Sequence, residues 1–285
     1  MPPPPRLVAV DMDGTFLRSD RDYDRERFAR VYAAMRRAGA RLVIASGNQY
    51  EQLAGYFPGL ADELGFVADN GAYVLDGPHV LEVGRLGAEH CARIVAALDA
   101  HPDIEFVASG SQGAYVLDTT SEEFFEKISF YFPRIARVPD LRPHLGELFK
   151  FSLDAPTTFD EVMATLARDF TGVVVPVTSG HKNIDLIAPG AHKGRGLEML
   201  MRRWGLDPSQ CAAFGDGGND IEMLQLCAHS YAMAGSPAPV RAAARHEAGS
   251  NDDSAVLRVL EQWFGGAAAA GPGFPQAAPT PPSPA

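Results

Sequence analysis

Cysteine and net positive charge are scarce in this chain, and each scarcity closes off a class of protein. The cysteines are Cys91, Cys211 and Cys227 alone. An odd number without paired spacing supports neither a disulfide framework nor a zinc site, so they read as small buried apolar residues. Lys and Arg number 25 against 36 Asp and Glu, for a formal charge of −11, and the pI is near 5.2. With the basic residues scattered along the chain, no nucleic acid and no anionic membrane is expected as a partner. An anionic substrate would then need a local device, a metal ion or a helix N-terminus, to hold it. No apolar run approaches the roughly 20 residues of a membrane span. The opening Met1-Pro-Pro-Pro-Pro-Arg6 has neither the basic region nor the apolar core of a signal peptide, so a cytoplasmic location is expected.

What is present is enough apolar material, 46% of 285 residues, to bury a full core in two domains. Leu7-Val-Ala-Val10 is a short apolar run ending in Asp11, as a buried parallel strand reads. From Asp24 to Ala38, Phe28, Val31, Tyr32 and Met35 recur at helical spacing, and Gly39 supplies the stop. Leu42 to Ala45 is a second strand. The alternation returns late in the chain, with a helix over 196–204, a strand over 211–214, a helix over 221–226, a strand over 231–233 and an amphipathic helix around Val256 and Trp263. This predicts an α/β core built on a doubly wound parallel, Rossmann-like sheet, formed by residues 1–83 and 188–264. Between the two blocks, strand-like runs at 104–107, 114–116, 148–153 and 173–177 mix with helical patterns such as 91–98 and 159–167. Residues 84–187 therefore read as an inserted α+β cap domain controlling substrate access. From 265 to 285 the composition of Ala, Pro and Gly without charge predicts a disordered tail.

Four short motifs carry chemistry. Asp11-Met12-Asp13-Gly14-Thr15 puts a carboxylate at the tip of a buried strand, which is costly unless it meets a metal or strong donors. Asp13 is placed to move a proton, and Gly14 and Thr15 suit a turn with amides free to cradle phosphate. The same residues also suit a simple Asx turn. Ser46-Gly47 ends a strand, where a hydroxyl can bond a phosphate oxygen, though Ser-Gly is a common turn pair. Lys193, opening a helix, can offset a developing anion or lie solvated at the helix start. Asp216 ends an apolar strand ahead of a Gly pair, and Asn219-Asp220 can cap the next helix; carboxylate oxygens are hard ligands of the kind Mg²⁺ takes.

In this order the four motifs resemble the haloacid dehalogenase-like phosphatase superfamily, and the insertion resembles the large cap of its Cof-type branch. More narrowly, Asp11 to Leu17, Ala45-Ser-Gly-Asn-Gln-Tyr50, Ala68-Asp-Asn-Gly-Ala72, Phe149-Lys-Phe-Ser-Leu153, Pro176 to Gly180 and Asp185 to Gly190 look like its bacterial sugar phosphatases, over about Leu7 to Trp263. The resemblance implies Asp11 as a nucleophile forming an aspartyl-phosphate, and Asp13 as acid and then base. It implies Mg²⁺ held by Asp11, the Asp13 carbonyl and Asp216. Ser46, Gly47, Lys193 and Asn219 would bind phosphate, and Asp220 would orient Lys193 or a metal-bound water. Many relatives carry Arg where this chain has Asn48, which removes a positive charge and matches the sugar-phosphatase subgroup. The expected substrate is a small phosphorylated sugar or polyol, and the expected assembly a monomer or dimer. Two other readings stay open at this point: a phosphomutase using the same nucleophile, and a receiver-like phospho-acceptor, against which the second carboxylate at 13 argues because it speeds hydrolysis. Within the cap, the polar loop 178–182 and Lys150 in its apolar strand read either as reaching substrate hydroxyls or as a solvated tip and an outward-facing lysine.

Overall fold

The computed structural model describes residues 3–101, 104–154, 159–177 and 183–265. The loop 178–182 and the tail from 266 onward lie outside the described residues. The chain begins with strand β1 (Leu7–Val10), a tight turn over Met12–Phe16, helix α1 (Arg25–Arg37), β2 (Arg41–Ala45), α2 (Tyr50–Tyr56), β3 (Gly65–Ala68), β4 (Tyr73–Asp76) and β5 (His79–Val83). It then builds a second layered unit from α3 (Ala88–Asp99), β6 (Glu105–Gly110), β7 (Gly113–Leu117), α4 (Glu122–Ser129), β8 (Ile135–Val138), β9 (Leu148–Asp154), α5 (Phe159–Asp169), β10 (Val175–Val177) and β11 (Asn183–Ile187). It returns through α6 (Lys193–Trp204), β12 (Cys211–Gly215), α7 (Ile221–Leu226), β13 (His229–Ala232), α8 (Ala238–Ala243), β14 (His246–Glu247) and α9 (Ala255–Phe264).

The first sheet has the order β14-β13-β12-β1-β2-β3-β4-β5. From β14 to β3 every pairing is parallel, while β4 and β5 add an antiparallel hairpin at one edge. The predicted doubly wound sheet is thus present but mixed rather than wholly parallel. Residues of β1, β2 and β12 alternate between two apolar layers: Val8, Val10 and Phe214 pack with α1 and α9, and Leu7, Ala9 and Ala213 with α6 and α7. Helices therefore cover both faces, as buried parallel strands require. The chain passes from β1 to β2 on one side and later fills β12 on the other, so the strand order reverses between β1 and β12. Ligands in such sheets sit beyond the C-terminal ends of the strands at that reversal.

Local signals set the helix ends. The Asp24 carboxylate accepts from the Arg27 amide at 2.9 Å and starts α1. The His192 ring Nδ1 accepts from the Arg195 amide at 3.2 Å and starts α6 three residues before its apolar pattern begins. The predicted strand at 173–177 shortens to Val175–Val177. The three cysteines are free and buried. The second sheet, in the order β10-β11-β9-β6-β7-β8, packs α3 and α5 on one face and α4 on the other.

Candidate active site

Asp11 follows β1 directly, and its amide donates to the Phe214 carbonyl of β12 at 3.0 Å. The turn after it is anchored from behind by Phe16, whose ring packs against Tyr23, Phe28 and Phe57. Gly14 takes φ of +77°, and a Cβ there would lie 2.6 Å from Asp216 Oδ2. Only glycine lets the turn close against that carboxylate. Thr15 Oγ1 donates to Asp216 Oδ1 at 2.9 Å. The tips of two neighbouring strands thus hold Asp11 and Asp216 together, although 205 positions separate them in the sequence (216 − 11).

Lys193, wholly buried at the first position of α6, donates to Asp11 Oδ1 and to Asp220 Oδ1, each at 2.6 Å. The second oxygen of Asp220 accepts from the amides of Asp216 and Gly217 at 3.0 and 2.9 Å. Both Asp220 oxygens are therefore engaged, and this residue fixes the lysine and the 215–218 turn. Burial pushes the Asp11 carboxyl up to about 7, with Lys193 opposing and Asp216 reinforcing the rise. Burial likewise lifts Asp220 to about 6 against Lys193 and raises Asp216. Despite its burial, Lys193 is held more firmly protonated than usual by Asp11 and Asp220.

The donor chemistry fits a divalent cation. Oxygens of Asp11, Asp216 and Asp220 lie within 4.8 Å of one another, three carboxylates against the one ammonium of Lys193. Such a set is all hard oxygen and carries excess negative charge, and a Mg²⁺ ion balances both.

The remaining predicted residues contact one another and the turns beside them. Ser46 is buried at the end of β2, and its Oγ accepts from the Asn48 amide at 3.1 Å. Asn219 Nδ2 donates to Asn70 Oδ1 at 2.9 Å. Asp13 is exposed, and its Oδ2 accepts from Asn48 Nδ2 at 2.7 Å. Asn48, where a positive charge was expected to be lacking, thus holds the second carboxylate by a neutral amide.

Lys150 points inward. It is neither solvated nor outward-facing, being 1% exposed; its ammonium lies 2.5 Å from Asp69 Oδ1 and donates to the Gly47 carbonyl at 2.9 Å. Asp69 and Asn70 carry no site role in the sequence reading beyond the Ala68–Ala72 resemblance. The signals that point to them are a lone lysine inside an apolar strand and an Asp-Asn-Gly run tolerant of left-handed backbone.

Burial raises the Asp69 carboxyl to about 6 while Lys150 opposes. The folded protein thus holds this proton more tightly than the unfolded chain, whose ordinary value is 3.8. The stability that comes with it is complete below that value and is lost as the pH climbs through about 6. Between roughly pH 4 and 7 the stability of Asp69→Asn relative to the parent is expected to rise by about 3 kcal/mol at most, on top of the fixed cost of leaving the Lys150 ammonium without its carboxylate. Calorimetry in excess chelator checks this, and a difference that stays flat across the window contradicts it.

The profile of the haloacid dehalogenase-like hydrolases matches residues 8–260. The 5-amino-6-(5-phospho-D-ribitylamino)uracil phosphatase YbjI of Escherichia coli is 40% identical over 258 residues, covering 90% of this chain and 95% of that protein. The phosphatase of the same name, YitU, from Bacillus subtilis is 24% identical over 279 residues, covering 91% and 98%. Among solved structures, SMU.1108c of Streptococcus mutans superposes with a TM-score of 0.84 at 37% identity, over 91% of this chain and 99% of that one. The two sequence relatives are named as phosphatases, which sets aside the phospho-acceptor alternative. The profile match from one end of the first sheet to the other, joined to relatives similar over nearly their whole length, means that this chain belongs to the haloacid dehalogenase-like hydrolase family.

Proposed function

We propose that the chain hydrolyses small sugar or polyol phosphate monoesters through an aspartyl-phosphate on Asp11. The observation that carries this reading is the pairing of Asp11 with Lys193 beside Asp216, while Asp13, two residues on, turns outward on the same loop. A carboxylate oxygen of Asp11 attacks phosphorus. The bond to the ester oxygen breaks, and Asp13 gives its proton to the departing alkoxide. Asp13, now ionised, takes a proton from water as the water oxygen attacks the aspartyl-phosphate, which releases inorganic phosphate and restores Asp11. Ser46, the Gly47 loop, Asn219 and Lys193 hold the phosphoryl oxygens in this scheme, and Asp220 holds Lys193. Asp11, Asp216 and the Asp13 carbonyl would hold Mg²⁺, which when bound neutralises charge on the phosphoryl group. Residues 84–187 act as a cap over a core of 1–83 and 188–264, shielding the first step from water.

Asn48 supports a neutral, hydroxyl-rich leaving group, because it places an amide rather than a guanidinium next to Asp13. The ester named for the Escherichia coli relative carries its phosphate on a ribityl chain attached to a uracil ring, and it belongs beside simple sugar and polyol phosphates in the test. A panel of such esters, with free phosphate as readout, is expected to give Mg²⁺-dependent turnover that excess chelator stops. Asp13→Asn should slow release by about 10²–10⁴-fold, the usual worth of proton transfer by a placed side chain. Isomerised sugar phosphate in place of free phosphate would mark a mutase; parent-level turnover in Asp13→Asn would remove Asp13 from the chemistry.

A further inference from the structure

Asp69, Asn70 and Gly71 take φ of +49°, +55° and +90° in succession, between β3 and β4. Non-glycine residues in this region cost about 1–3 kcal/mol each unless their surroundings hold them there, and here the surroundings are specific. A Cβ at Gly71 would collide with the His192 carbonyl, so the turn is pressed against the start of α6. The Asp69 amide donates to the Asn48 carbonyl at 3.1 Å, and the Asn70 amide to the Ser46 carbonyl at 3.0 Å. The carbonyl between them, Gly47, accepts from Lys150. All three carbonyls of the Ser46–Asn48 loop are thereby occupied, two by the turn and one by the second sheet.

The second sheet grips the turn at two points. Lys150 and Ser152 of β9 share one strand face, and Asp185 of β11 pairs in register with Ser152. Lys150 pairs with Asp69. Asp185 accepts from Ser152 Oγ at 2.6 Å and from Asn70 Nδ2 at 3.1 Å. The other end of the Asn70 amide accepts from Asn219. One line of contacts therefore runs from β9 through Lys150 to the Gly47 loop, and a second from β11 through Asp185 and Asn70 to Asn219.

We propose that Lys150, Asp185 and Asn70 are positioning residues, through which the second sheet, gripping the left-handed turn at 69–71, sets the two phosphate-holding segments. This rests on the phosphate roles proposed above for Ser46, Gly47 and Asn219. Without the ammonium, the Gly47 carbonyl and the Asp69 carboxylate both lose their buried partner. Without the Asn70 amide, Asn219 loses its orienting acceptor.

The test uses the full chain with Mg²⁺, reading inorganic phosphate affinity by titration calorimetry, ester hydrolysis by steady-state kinetics and folding by circular dichroism. The variants are Asn70→Ala, Asp185→Ala and the double variant Lys150→Met/Asp69→Asn, which avoids stranding a buried charge. Each is expected to weaken inorganic phosphate binding and raise KM about tenfold, the scale of one well-placed hydrogen bond, with kcat changed far less. Should one of these variants not fold, the other two decide the outcome by the same readouts. Folded variants that bind inorganic phosphate within about twofold of the parent overturn the proposal. A parent that binds inorganic phosphate yet hydrolyses no ester removes the phosphatase reading, while the binding measurements still decide the coupling.

Discussion

Asp11→Asn is expected to abolish phosphate release while leaving the fold at least as stable as the parent. Removing the nucleophile from a covalent mechanism typically costs about six orders of magnitude in turnover, which would place the variant near the background rate. Stability should move the other way. The Asp11 carboxyl is buried, lifted to about 7 chiefly by that burial, and further by Asp216 and Asp13; in excess chelator its ionised form is thus disfavoured. An amide keeps one oxygen to accept from Lys193 and removes the repulsion. Paired measurements of kcat and of melting temperature in chelator check both halves. Phosphate release at the parent rate would strip Asp11 of its role.

Lys193→Met is expected to damage stability and activity together. Its ammonium meets two carboxylates at 2.6 Å with no exposure to solvent, and it is the ammonium that offsets the Asp11, Asp216 and Asp220 group. Removing one partner from a buried ion pair costs about 3–5 kcal/mol, which for a chain of this size lowers the melting temperature by about 6–20 °C. Mg²⁺ should restore part of this loss, because a second positive charge then faces the same oxygens. A variant as stable in chelator as the parent would show that the cluster is not held together by this lysine.

Much of this arrangement was legible before any coordinates. Helix α1 announced itself through Phe28, Val31, Tyr32 and Met35, all of which are buried on one stripe, and the strands ending in Asp11 and Asp216 stood out as apolar runs broken by a carboxylate. Short β3 and the β4–β5 hairpin gave no such signal. Four fully buried residues in β3 show no alternation, and in β5, at the sheet edge, two residues are exposed and three half-buried. The direction of Lys150 was equally hidden, since a strand pattern tells which residues share a face but not what that face will meet. The backbone at Asp69 and Asn70 depends on contacts made by residues from 46 to 219, far outside any local window. Asn48 could be read as a missing charge; that its amide would reach Asp13 required the turn of a different strand.

The chain leaves the first sheet after Val83 and returns to cover it with the helix that starts at Lys193, and Asp11, Asp13, Asp216 and Asp220 all lie outside that excursion. The proposed reaction centre therefore takes none of its acids from the excursion. If the proposed function holds, one ester would be exchanged for another by altering the excursion, with Lys150 and Asp185, which reach back across the divide, kept in place.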